Sequence, residues 1–106
     1  MLYGDTILTS VDDTIGIVPR VFTLHQNYPN PYNPTTTIRF SVGTYGHTSL
    51  RVFDLLGREV ATLVNEEMTP GNYERVFSVK GLASGVYVFR LSSSGQIKTR
   101  RMTILK

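Results

Sequence analysis

Cysteine and tryptophan are absent from this 106-residue chain, and there are only two histidines. Without cysteine there is no disulfide framework, no thiolate metal site and no cysteine nucleophile, and the redox compartment is left unread. His25 and His47 stand alone, with no second histidine or cysteine at metal-ligand spacing, so a zinc site is not expected. No apolar run approaches the ~20 residues needed to cross hydrocarbon, which argues against a membrane-spanning chain. Long polar tracts are also missing: Val, Ile, Leu, Phe and Tyr recur throughout, which disfavours disorder. A chain of this length can bury roughly two-thirds of its unfolded surface and fold around one core without staples.

Acidic residues are missing from one part of the chain altogether. Residues 1–79 carry five basic groups against all eight acids, a balance of −3, whereas residues 80–106 carry six basic groups and no acid. The modest net charge of +3 therefore conceals a strongly basic carboxy-terminal stretch. Composition alone reads such a stretch as a solvated strand face before it reads it as a partner surface.

What is present is a succession of short β patterns. Ile38, Phe40 and Val42 alternate with Thr37, Arg39 and Ser41; Leu50 and Val52 share a face; Val60 and Val64 are expected on one side of the return strand. Tyr73, Phe77 and Val79 share a parity that Arg75 interrupts, and Tyr87, Phe89 and Leu91 alternate against Val86, Val88 and Arg90. In the last strand Lys98, Arg100, Met102 and Ile104 lie on one side and Thr99, Arg101, Thr103 and Leu105 on the other. Turns fall at Asp54–Gly57, Pro70-Gly71, Ala83–Gly85 and Ser92–Gly95, and Gly57 is suited to the positive φ that a tight turn requires. No segment of ten or more residues shows capped helical spacing. With one further strand near Phe22–His25, this pattern predicts an all-β, immunoglobulin-like sandwich of about seven antiparallel strands. Residues 1–19 read as a lead-in from a preceding domain and residues 20–106 as the folded unit.

The run Asn27–Pro34 contains three prolines, which fix φ, remove amide donors and hold the preceding residues extended. It is expected to be a structural clasp between the first strands, with Tyr28 and Tyr32 packing on the sandwich.

Catalytic patterns are not found. Asp12-Asp13 and Glu66-Glu67 are adjacent pairs that diverge on a strand and read as solvated turn charge. Asp54 reads as a turn former bonding its own backbone, and His47 falls in a predicted loop. The serines lack a histidine in register, and Gly81–Gly85 lacks the features of a phosphate loop. A cofactor is not expected. Nor is nucleic-acid binding, because Tyr87 and Phe89 share inward parity instead of interleaving with the basic residues on an exposed face.

Several segments, taken in order, resemble one known family. Phe22–Pro34, Thr36–Phe40, Val52–Val60, Gly71-Asn72-Tyr73, Leu82–Tyr87 and Lys98–Lys106 together are similar to the type A carboxy-terminal sorting domain of the type IX secretion system, over some 85 of the 106 residues. Arg75 stands where that pattern usually has an apolar residue, Phe77 where tryptophan is common, and Tyr32 replaces the usual phenylalanine. The resemblance implies a non-catalytic sandwich that directs an attached amino-terminal cargo domain to the cell surface or medium. It also implies, as partners, an outer-membrane translocon and a sortase-like protease, with export by way of the periplasm. No signal peptide is recognisable at the start of this sequence, so an export address is expected upstream on the full-length precursor. Recognition residues carried over by the resemblance are Gly85, Tyr87, Arg90, Leu91, Lys98, Met102, Ile104, Leu105 and Lys106. An immunoglobulin-like accessory module of an extracellular enzyme, binding carbohydrate or spacing domains, is the alternative reading.

Overall fold

The computed structural model describes residues 21–29 and 34–106. Among these are seven strands and no helix: β1 (Thr23–Leu24), β2 (Thr35–Val42), β3 (Gly46–Asp54), β4 (Glu59–Met68), β5 (Gly71–Ser78), β6 (Gly85–Ser93) and β7 (Gln96–Ile104). They form two antiparallel sheets, one ordered β1-β2-β5 and the other β4-β3-β6-β7. The all-β sandwich expected from the alternation is what forms. Asp12-Asp13, Tyr32 and the lead-in 1–19 lie outside the described residues.

The two-residue period explains the core directly. Ile38, Phe40 and Val42 of β2, Leu50 and Val52 of β3, and Phe89 and Leu91 of β6 are all at most 1% exposed, and their inward faces meet between the sheets. Phe40 stacks on Tyr73 with ring centroids 5.6 Å apart, joining β2 to β5 in register. Arg75, expected to interrupt this face, is half-buried on β5 opposite Ile38 and turns its guanidinium to Glu66, 3.6 Å away.

β4 departs from the predicted alternation. The register passes from Leu50 opposite Val64 to Arg51 opposite Thr62, and from Val52 opposite Ala61 to Phe53 opposite Glu59. Leu63 and Val60 fall at the register shifts and have no ladder partner on β3, Ala61 stands opposite Val52, and Val60, Ala61 and Leu63 all pack partly against the core that contains Val64. The strand also extends to Met68, so Glu66 and Glu67 are strand residues and not turn charges. His47, expected in a loop, is the second residue of β3, opposite Glu67.

The proline-containing run does act as a clasp, through its backbone and Asn27. Tyr28 and Thr37 exchange two backbone hydrogen bonds of 2.9 Å. Buried Asn27 donates to Thr36 Oγ1 (3.1 Å), which donates in turn to the Pro29 carbonyl (2.6 Å). The Tyr28 ring, expected to pack on the sandwich, is instead 70% exposed, because the bridge commits its backbone to β2 while the ring faces outward.

Candidate recognition surface

β6 and β7 form the carboxy-terminal hairpin, closed by Ser94 and Gly95 with φ of 50° and 80°. Two successive positive φ values match the right-handed twist of a two-residue hairpin. The register Gly85 to Ile104, Tyr87 to Met102 and Leu91 to Lys98 brings the resemblance-derived residues onto one two-stranded unit.

Within that unit the residues divide by burial. Tyr87, Leu91, Met102 and Ile104 are core, from 0% to 7% exposed, and the Tyr87 hydroxyl donates to the Ala83 carbonyl at 2.8 Å. Gly85 is half-buried at the start of β6. Arg90, Lys98, Leu105 and Lys106 are exposed. The Arg90 guanidinium lies 4.6 Å from the centroid of the Phe53 ring, a cation–π contact on the outer face of the sheet. The Lys106 amide donates to Ser84 Oγ at 3.0 Å, fastening the terminus beside the start of β6.

Two more cations belong to this surface. Arg101 projects from the outer face diagonal to Arg90, and Arg90 sits directly opposite Arg51 on β3. Arg100 points the other way and donates from Nε to the Leu24 carbonyl at 2.9 Å, bridging the sheets where β1 approaches β7. Alternation placed both on β7 with opposite orientations, but the resemblance did not single them out. Their signal was the run Lys98–Arg101, with no acid nearby in sequence.

Charge pairing separates this hairpin from the rest of the domain. Of the five Asp and Glu side chains among the described residues, four lie beside an arginine: Asp54 by Arg58 (2.9 Å), Glu59 by Arg51 (3.9 Å), Glu66 by Arg75 (3.6 Å) and Glu74 by Arg39 (3.1 Å); Glu67 lies 3.7 Å from His47, a charge pair only with a protonated imidazole. None of Lys80, Arg90, Lys98, Arg100, Arg101 and Lys106 has a carboxylate partner among the described residues. The sequence asymmetry is thus a spatial one: each described acid of the body lies beside a basic side chain, while the cations of the last hairpin have no described carboxylate beside them.

Asp54 has a structural part. Asp54 accepts from the amides of Leu56 and Arg58 and from Arg58 Nε, all within 2.9–3.0 Å. The Arg58 amide chiefly, helped by its guanidinium and the Leu56 amide and opposed by partial desolvation, holds this carboxyl below the usual carboxylate range. Among the described residues no three His, Cys, Asp or Glu side chains come together as a metal site would require.

The fold and this surface define an all-β sandwich module that ends in an uncompensated basic hairpin. A family model for the secretion system C-terminal sorting domain matches residues 26–105, about three-quarters of the chain, and the chain belongs to that family. The match begins four residues after the Phe22 at which the resemblance starts. Searches of curated proteins and of solved structures find no match.

Proposed function

We propose that this domain is the sorting signal of an attached cargo protein, directing it through the type IX secretion system to the cell surface or medium by way of the periplasm. It acts as a folded address and not as a catalyst. Its partners are the outer-membrane translocon, a sortase-like protease and the cargo domain that precedes it, with residues 1–19 as lead-in and 20–106 as the sorting unit. The observation that carries this reading is family membership over residues 26–105, supported by a terminal hairpin whose cations lack acidic partners among the described residues. Arg90, Lys98, Leu105 and Lys106 are the recognition residues available for contact; Gly85, Tyr87, Leu91, Met102 and Ile104 serve by holding the hairpin in place.

The alternative accessory-module reading finds no specific support. A glycan platform asks for a row of exposed aromatics, whereas Phe22, Phe40, Phe77, Tyr87 and Phe89 are buried. The exposed rings Tyr28 and Tyr45 belong to different connections.

The test is export of a reporter fused ahead of the domain in a host that possesses this pathway. Deleting Lys98–Lys106 removes Met102 and Ile104 and so unfolds what it sets out to probe. Neutralising Arg90, Lys98 and Lys106 together leaves the core intact. Loss of surface or medium delivery, with unchanged thermal unfolding of the purified variant, is the expected result; normal delivery refutes recognition through these cations.

A further inference from the structure

The outer edge of β7 ends the four-stranded sheet, and it is built to accept another strand. In a two-residue hairpin the flanking pair, here Ser93 and Gln96, exchanges both ladder bonds. Alternation along β7 then turns the N–H and C=O groups of Ile97, Thr99, Arg101 and Thr103 away from β6. The Gln26 side chain, donating to the outward Arg101 carbonyl at 2.6 Å, confirms this phase. Among the described residues the edge is covered around Arg100 and Arg101, by Leu24 of the two-residue β1 and by Gln26 just after it. Toward the turn no strand among the described residues pairs with the edge. Residues 96–101 are all exposed, Ile97 to 62%, beside a groove of about 420 Å³ lined by Val21, Phe22, Gly43, Thr44, Gln96 and Lys98.

Unpaired edges are liabilities that proteins commonly guard with lysine and other charges, and a guard is the simplest account of Lys98, Arg100 and Arg101. That account leaves the sign unexplained. A guard works with either sign, yet here four of the five described acids already face an arginine of the body and the fifth faces His47, and the edge cations have no acidic counterpart among the described residues. A basic edge repels a second β7 edge, while the acids of β4 at the opposite edge are engaged by Arg51, His47 and Arg75, which disfavours a second copy.

We propose that β7 is a β-augmentation site whose occupant is an acidic extended segment of a partner protein, paired to the Ile97 and Thr99 backbone. On the outer face its carboxylates meet Arg101 and Arg90, and on the inner face Lys98. Backbone pairing supplies register, and the cations supply the choice of partner. This rests on the sorting reading and gives it a recognition chemistry.

The test uses the full chain and a short blocked peptide alternating glutamate and valine. Its controls are the lysine counterpart, the acidic peptide with proline at alternate positions, and inorganic polyphosphate. The acidic peptide is expected to bind, to slow hydrogen exchange at the Ile97 and Thr99 amides, and to weaken as salt is raised. Thr99→Pro removes an N–H that the fold does not use, a substitution that sheet edges tolerate. It should leave thermal unfolding essentially unchanged and weaken binding roughly tenfold or more, the scale of one or two lost hydrogen bonds. Arg101→Glu, which keeps the backbone, should weaken it comparably. Equal binding by the proline-containing peptide or polyphosphate, or binding indifferent to Thr99→Pro, overturns the proposal in favour of non-specific charge attraction. No binding of the acidic peptide overturns it as well, as does peptide-induced dimerisation through β4. If Thr99→Pro abolishes peptide binding but the fused reporter is still exported, edge pairing is not how the domain is read, and the sorting function stands.

Discussion

Ile104 and Leu105 are adjacent, apolar and part of the same expected motif, and the structure assigns them opposite duties. Ile104 is fully buried at the end of β7 opposite Gly85, whereas Leu105 is 46% exposed. Truncating a buried isoleucine to alanine costs 2–5 kcal/mol through lost transfer energy and the cavity left behind. A site near the chain terminus relaxes more easily than one at mid-strand, which places Ile104→Ala at about 3 kcal/mol. Leu105→Ala removes a half-exposed side chain and should cost about 1 kcal/mol or less. Against a total stability of about 5–15 kcal/mol, the first is serious and the second is not. Urea unfolding followed by circular dichroism separates them. With m of about 1–3 kcal/mol/M for a small domain, Ile104→Ala should lower the midpoint by roughly 1–3 M at unchanged m, and Leu105→Ala by a third of that or less. Equal shifts would refute the division of the terminal motif into core and surface. So would a larger effect at Leu105.

Three further outcomes follow from local geometry. Thr36→Val is nearly isosteric but strips the hydroxyl that joins Asn27 to the Pro29 carbonyl; leaving those groups unpaired should cost about 1–3 kcal/mol, and an unchanged melting temperature would show that the clasp is not held by this bond. Gly57 holds φ at 87° with open space where a side chain would sit, so Gly57→Ala should destabilise by about 1 kcal/mol through backbone strain alone, read as a drop in melting temperature. Asp54 has a folded-state pKa below its ordinary value of 3.8, so its contribution is present above that value and lost as pH falls through the lowered one. The stability gap between wild type and Asp54→Asn should therefore be constant near neutrality and close below about pH 4; a gap that persists in strong acid would mean the charge is not its source.

Periodicity reads which face a side chain takes but not how deep that face lies. On β7 it grouped Lys98 and Arg100 with Met102 and Ile104, yet only the latter two are buried. Among the described residues the opposing sheet supplies the two-residue β1 at that edge, and Lys98 is exposed there while Met102 and Ile104 belong to the core cluster. β4 misled for a different reason. Its two bulges reset the parity between Glu59 and Val64, and a bulge is decided by the partner strand, not by the residues that carry it. The positions of His47 and Glu66-Glu67 failed likewise: the Gly46 to Met68 register extends both strands through polar residues that look like loop when read singly. Of the candidate site, the basic terminal hairpin was legible from composition, and its residues from the resemblance. The placing of each described acid beside a basic side chain was not, because Glu66 meets Arg75 and Glu74 meets Arg39 only once β4, β2 and β5 are brought together.

One strand that completes the core and is also proposed to carry the address constrains how function can be assigned to it. Along β7 the inward side chains Met102 and Ile104 close the sandwich, while earlier on the same strand the side chains of Ile97, Thr99 and Arg101 are exposed. Deleting Lys98–Lys106 removes both at once, so loss of export on that truncation is equally the result of unfolding and of lost contact. Substitutions that respect the alternation divide the two, because neighbouring positions on a strand project to opposite faces. Ile104→Ala reports on folding, Leu105→Ala on the exposed terminus and Thr99→Pro on the edge. An export defect in the first with none in the other two would mean that the machinery needs only a folded sandwich. A defect in Thr99→Pro at full stability would mean that it needs the edge itself.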